Sequence, residues 1–134
     1  SWLYSAYGSN FVSKIIEQLK TKKEIYVTDD EWGSPTYAGD LAKSILKILP
    51  YLESDSTEIY NYCNLGVCSR FQFAKKIESL LSLKNKIRVK KFSSDNINRP
   101  KFSALNNKKI INKFNLSIPS WENSLKKYIT NKSI

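Results

Sequence analysis

The sequence predicts an α/β fold. Three observations carry that prediction. Short β-rich runs alternate with runs of helical period, the joints between them carry helix-capping residues, and no repeat, low-complexity segment or linker divides the 134 residues. The length suits one domain, residues 1–134, with a modest core.

The elements follow in order. Trp2-Leu3-Tyr4 reads as the end of a buried strand, and Ala6-Tyr7-Gly8-Ser9 as a turn. Ser9 or Asn10 caps a helix with Phe11, Ile15, Ile16 and Leu19 inward, and its end is rich in Lys, where cations suit the helix dipole. Glu24 to Thr28 is a short strand, broken by Gly33 and Pro35. Pro35 disfavours the α region at Ser34, so a helix restarts after it. Thr36 is the expected N-cap of that helix, with Leu41, Ala42, Ile45, Leu46 and Leu49 giving its apolar period and Pro50 ending it.

Glu58 to Cys63 alternates as a strand. Ser69-Arg70-Phe71-Gln72 has the form of a capping box and opens a helix with Phe73, Ile77, Leu80 and Leu81 inward. Ile87, Val89 and Phe92 mark a further short or edge strand. An irregular loop follows and ends in Arg99-Pro100. Asn107 to Phe114 is a short helix, and Ser120 caps the last one, with Trp121, Leu125, Tyr128 and Ile129 on one face.

Composition excludes several classes. The formal charge is +10, but the excess is Lys spread along the whole chain, with only Arg70, Arg88 and Arg99. Diffuse Lys is a solvated surface rather than a nucleic-acid interface, so no nucleic acid is expected as a partner. No apolar run spans a bilayer, and no membrane partner is expected. The N-terminus has no basic n-region or long apolar core, so it does not read as a signal peptide. It opens directly on a β-like run, as if cut from something longer.

With no His, neither a Ser-His-Asp nor a Cys-His nucleophile can be assembled from these residues. Cys63 and Cys68 are too few soft ligands for zinc, and no metal site is expected. They can pair, although two buried reduced thiols in a cytoplasmic protein are the favoured reading. The pattern Tyr-x-x-x-Lys occurs at Tyr128 and Lys132. It lies in the last helix with Tyr128 on the apolar face, and reads as coincidence rather than a proton-donating pair. Gly8, Gly33, Gly39 and Gly66 never form the glycine-rich turn of a dinucleotide site.

Binding candidates are clearer. Asp29-Asp30-Glu31-Trp32-Gly33-Ser34-Pro35-Thr36 joins a strand end, a tight turn and a helix start, a place suited to a polar ligand. Trp2 at a strand end can stack on a flat ligand face. Asn10 at a helix start can donate to a ligand while capping the helix. Arg99, stiffened by Pro100, suits bidentate phosphate contacts.

These residues, taken together, resemble a family. Ser1-Trp2-Leu3-Tyr4-Ser5, Gly8-Ser9-Asn10-Phe11, the Asp29 to Thr36 turn, Gly66 to Ala74, Arg99-Pro100, and Ile118-Pro119-Ser120-Trp121-Glu122 with Ser124-Leu125 are similar to the C-terminal half of dTDP-4-dehydrorhamnose reductase. The motifs come in family order and cover nearly the whole chain. The resemblance implies the C-terminal part of an extended short-chain dehydrogenase/reductase, a Rossmann-like NAD(P)-binding fold, without its N-terminal glycine-rich cofactor half. It implies a dTDP-sugar substrate whose 4-keto group is reduced with NADPH or NADH, giving dTDP-L-rhamnose for surface polysaccharide. Trp2 would then pack beside the sugar, Asn10 would contact the nucleotide-sugar, Glu31 and Trp32 would lie by the nucleotide, and Arg99 would meet the diphosphate.

The departures are as informative. The cofactor would be held mainly by the missing N-terminal half, which also carries the family's catalytic Tyr-x-x-x-Lys, so this chain alone is expected to be inactive. Glu31-Trp32 stands where the family commonly has Gln then Phe, and a carboxylate cannot donate to a base carbonyl as an amide can. Some members dimerise, in cases with a metal ion, and a homodimer belongs to the expectation. The alternatives are a non-catalytic nucleotide-sugar binding module, or half of an epimerase or dehydratase of the same extended family.

Overall fold

Two reciprocal caps set the first and third helices. The computed structural model describes residues 1–52, 57–81, 86–89 and 99–131. Strand β1 (Leu3–Tyr4) leads into helix α1 (Phe11–Thr21). The Asn10 side chain accepts from the Ser13 backbone N–H at 3.1 Å, and the Ser13 hydroxyl accepts from the Asn10 N–H at 2.9 Å. Two orphan donors of the first turn are thereby satisfied. Val12, Ile15, Ile16 and Leu19 form the buried stripe of α1, with Phe11 at its margin. Ahead of helix α3 (Arg70–Leu81), the Ser69 hydroxyl accepts from the Gln72 N–H at 3.1 Å, and Gln72 accepts from the Ser69 N–H at 3.0 Å. That is the capping box expected from sequence.

Among the described residues, the strands make three short two-stranded ladders. Strand β2 (Glu24–Val27) runs parallel to β6 (Lys86–Val89), with Ile25 opposite Ile87. Strand β3 (Trp32–Gly33) runs antiparallel to β5 (Cys68–Ser69), and β1 runs parallel to β4 (Thr36–Tyr37). Helices α2 (Ala38–Ile48), α4 (Lys108–Phe114) and α5 (Trp121–Asn131) complete the α/β fold. Among the described residues, no helix is long and apolar enough to cross a membrane.

The main core lies among α1, α3, α5 and the strands. Its centre is aromatic. Tyr4 stacks on Tyr37 and meets Tyr128 edge-on at 5.4 Å, while Phe73 meets Trp121 edge-on at 5.6 Å. Truncating a buried ring such as Phe73 costs about 3–5 kcal/mol. A smaller core joins Tyr62, Ile110, Leu116 and Ile118. Gly66 sits at φ +97°, where a Cβ would also meet the Trp121 ring at 2.8 Å, so glycine is required twice over.

Three sequence expectations need correction. Residues 58–63 form no strand. The Asn107 amide takes the place of a neighbouring chain, accepting from the Cys63 N–H at 3.0 Å and donating to the Cys63 carbonyl at 2.6 Å. Thr36 is not a cap: it belongs to β4, and Tyr37 precedes α2. The Thr36 hydroxyl donates instead to the Ser1 carbonyl at 2.5 Å.

The third correction concerns which side of α2 faces in. Its buried residue is Asp40, whereas Ile45, Leu46 and, just beyond, Leu49 are exposed, Leu46 to 68%. Asp40 turns inward to a buried polar hub, while Leu41 and Ile48 pack partly buried against the smaller core. Asn64, fully buried, accepts from the Tyr37 N–H at 2.7 Å. Its amide nitrogen reaches Asp40 at 3.2 Å and Ser124 at 2.9 Å, and Ser124 donates to Asp40 at 2.5 Å. Lys127 stands 3.7 Å from the Asp40 carboxylate. Phe92 and Lys132 lie outside the described residues.

Candidate functional site

The turn after β2 is tied to the start of α3. The Ser69 hydroxyl donates to the Asp29 carboxylate, and the Arg70 N–H donates to the Glu31 carbonyl at 3.0 Å. These bonds fix the Glu31 side chain beside the Arg70 guanidinium, with Nε 3.4 Å from one carboxylate oxygen. Arg99 approaches the other oxygen, at 3.8 Å. Two guanidinium groups therefore share one carboxylate.

The Arg70 group is held between rings. Its central carbon lies 3.7 Å from the Trp2 ring centroid and 4.9 Å from that of Phe11. Burial lowers its affinity for a proton. Glu31 pushes the other way, and the nearby charge of Arg99 adds to the lowering. Trp2 in turn is pressed against Gly33, where a Cβ would fall 2.5 Å from the indole. Any side chain there would push the ring out of place.

Beside this arrangement opens a cleft of about 450 Å³. Asn10, Lys14, Glu31, Arg70 and Arg99 are among its walls. Three cations and one anion leave the cleft electropositive, which suits a phosphorylated ligand. Of the five residues expected from sequence, Asn10, Glu31 and Arg99 thus meet at one cleft. Asn10 spends part of its capacity locally: its amide nitrogen donates to the Ser5 carbonyl at 2.9 Å, leaving one N–H. Trp2 reaches the group through Arg70.

Trp32 is not a wall of the cleft. Its backbone N–H donates to the Lys101 carbonyl and its carbonyl accepts from the Ser103 N–H, both at 2.8 Å. Its position anchors the loop that carries Arg99. Tyr128 is a core residue, 2% exposed, whose hydroxyl donates to the Ser5 carbonyl at 3.2 Å. Cys63 and Cys68 are buried free thiols, and burial pushes the Cys68 thiol up to about 12.

Sequence reasoning missed Arg70 and Lys14 as members of this group. The faint signal for Arg70 was that it is one of three arginines and stands inside a capping box. The signal for Lys14 was its place one turn after Asn10, on the same side of α1.

A family model described as the RmlD substrate binding domain matches residues 1–134. The chain belongs to that family. The spore coat polysaccharide biosynthesis protein SpsK of Bacillus subtilis is 32% identical over 99% of this chain and 46% of its own length. The dTDP-4-dehydrorhamnose reductase of Sinorhizobium fredii is 30% identical over 96% of this chain and 47% of its own.

Among solved structures, the dTDP-4-dehydrorhamnose reductase of Bacillus anthracis, in complex with NADP, superposes with a TM-score of 0.85. It shares 39% identity over 99% of this chain and 46% of that one. The chain spans about half the length of the relatives it matches. Its fold is that of the C-terminal half of an extended short-chain dehydrogenase/reductase.

Proposed function

We propose that residues 1–134 form the nucleotide-sugar-binding side of a dTDP-4-dehydrorhamnose reductase. The whole enzyme would reduce dTDP-4-dehydro-L-rhamnose to dTDP-L-rhamnose with NADPH or NADH. The observation that carries this reading is the electropositive cleft, where Asn10, Glu31 and Arg99 meet Lys14 and Arg70. Family membership and the named reductases among the relatives support it. Arg99 and Lys14 would bind the diphosphate, and Trp2 and Asn10 would orient the sugar. Glu31 would stand by the nucleotide, and Trp32 would hold the Arg99 loop in place.

The cofactor does not fit the residues present. A Cβ at Gly33, Gly39 or Gly66 would run into Trp2, Tyr37 or Trp121, so none of the three leaves room beside its backbone for a dinucleotide. Gly8 is open but stands alone. The hydride donor would be held by an N-terminal half that joins this one, and a homodimer would be the assembly. Buried reduced thiols agree with a cytoplasmic protein.

The test is NADPH consumption, followed at 340 nm, by this chain joined to an N-terminal half carrying the glycine-rich turn. Consumption that needs the keto-sugar nucleotide is the expected result. A well-folded joined protein with no turnover sinks the reductase reading. Tight dTDP-sugar binding without turnover would make the chain a binding module instead.

A further inference from the structure

The two arginines that share Glu31 are held very differently. Arg70 is fixed by its backbone bond to Glu31, by the rings of Trp2 and Phe11, and by the 3.4 Å contact; its side chain is 18% exposed. Arg99 stands 3.8 Å from the same carboxylate with its side chain 75% exposed. An exposed ion pair at that separation is weak and readily exchanged. A carboxylate and a phosphoryl group present similar oxygen pairs to a guanidinium, and the phosphoryl group carries more charge. Lys14 adds a third cation to the walls of the cleft.

We propose that Glu31 is a built-in competitor for the anionic group of the ligand. It occupies Arg99 in the free protein and yields that guanidinium to an incoming diphosphate, while Arg70 keeps the carboxylate in place. Glu31 thereby sets how strongly an anion must bind before Arg99 is released. That the diphosphate belongs to a nucleotide-sugar rests on the function proposed above, whereas the competition itself does not.

The experiment is titration calorimetry on the full chain with inorganic pyrophosphate and, separately, dTDP. Four proteins are compared: unaltered, Glu31→Gln, Arg99→Gln and the double variant. Glu31→Gln is expected to bind pyrophosphate about two- to fivefold more tightly, the span of one exposed ion pair. Arg99→Gln should bind it more weakly, and the gain should vanish in the double variant. Should Glu31→Gln fail to fold by circular dichroism, Glu31→Asp replaces it. That variant keeps the counter-charge of Arg70, draws back from Arg99, and should show the same gain.

Weaker or unchanged binding by the Glu31 variants overturns the inference. A gain that persists without Arg99 overturns it too, because only bulk charge would then have changed. The absence of pyrophosphate binding by every variant also overturns it. If dTDP binds no better than pyrophosphate, the nucleotide-sugar reading falls and the competition stands.

Discussion

The Arg70 guanidinium lies over the Trp2 ring, 3.7 Å from its centroid, while its Nε contacts Glu31. One side chain thus joins the residue before β1, the turn after β2 and the start of α3. Arg70→Ala removes a cation–π contact and a partly buried ion pair together, and should destabilise the chain by roughly 1–3 kcal/mol. Urea denaturation checks this. A loss below about 0.5 kcal/mol, the range of ordinary surface changes, would show that the stack contributes nothing.

The Asn64 hub should be more sensitive. Its amide serves Tyr37, Asp40 and Ser124 at once, in full burial. Asn64→Leu keeps the branched outline but leaves a backbone N–H unpaired and a carboxylate short of a donor. The expected cost is about 3–5 kcal/mol, set by buried groups deprived of partners. A thermal midpoint close to that of the unaltered chain would refute it.

Stability should fall on the alkaline side. The Cys68 thiol rises from its ordinary value near 9 to about 12 because burial disfavours the thiolate. The folded form holds this proton longer than the unfolded form. The contribution is therefore complete below pH 9 and is lost as pH climbs from 9 toward 12, at up to about 1.4 kcal/mol per pH unit. Burial raises Tyr4 and Tyr62 as well, which steepens the loss above pH 10. Urea midpoints between pH 8 and 10.5 read it out. Cys68→Ala should flatten the part between 9 and 10, and an unchanged slope in that variant would assign the loss elsewhere.

The outward face of α2 should tolerate charge. Leu46 and Leu49 are more than half exposed, so Leu46→Glu with Leu49→Lys should change unfolding free energy by less than about 0.5 kcal/mol. The same pair should lower self-association in sedimentation velocity, because an exposed apolar stripe is sticky. A destabilised double variant would mean that these leucines are packed in the isolated chain.

Much of the fold is legible in the sequence because its signals are local. Ser69 and Gln72 are three residues apart, and so are Asn10 and Ser13; caps of this kind act across one turn. The apolar period of α1 marks its buried stripe for the same reason. The expectations that failed depend on distant partners. Alternation over residues 58–63 says that the segment can be a strand, but only a neighbouring strand makes it one, and Asn107 stands there instead. The apolar period of α2 held at Leu41 but misled at Ile45, Leu46 and Leu49, because part of the inner side is claimed by Asn64 and Ser124, far along the chain.

The site divides in the same way. Arg99 and Glu31 are visible as a rare arginine before a proline and an acid in a turn. Nothing local to Arg70 tells that it faces Trp2 rather than solvent, because ring and guanidinium are brought together only by the closed fold.

The three ladders share one property. Leu3 pairs with Thr36, Glu24 with Lys86 and Trp32 with Ser69, and none of these is a hairpin. The bond from Tyr128 to the Ser5 carbonyl spans 123 positions. During synthesis, β1 leaves the ribosome long before the helix that encloses it exists. β1 can pair with β4 once Thr36 and Tyr37 are out, but the Tyr4 ring lacks its Tyr128 neighbour until nearly all of the domain has been made. Contacts this far apart in sequence make a domain of this size fold more slowly than one built from hairpins.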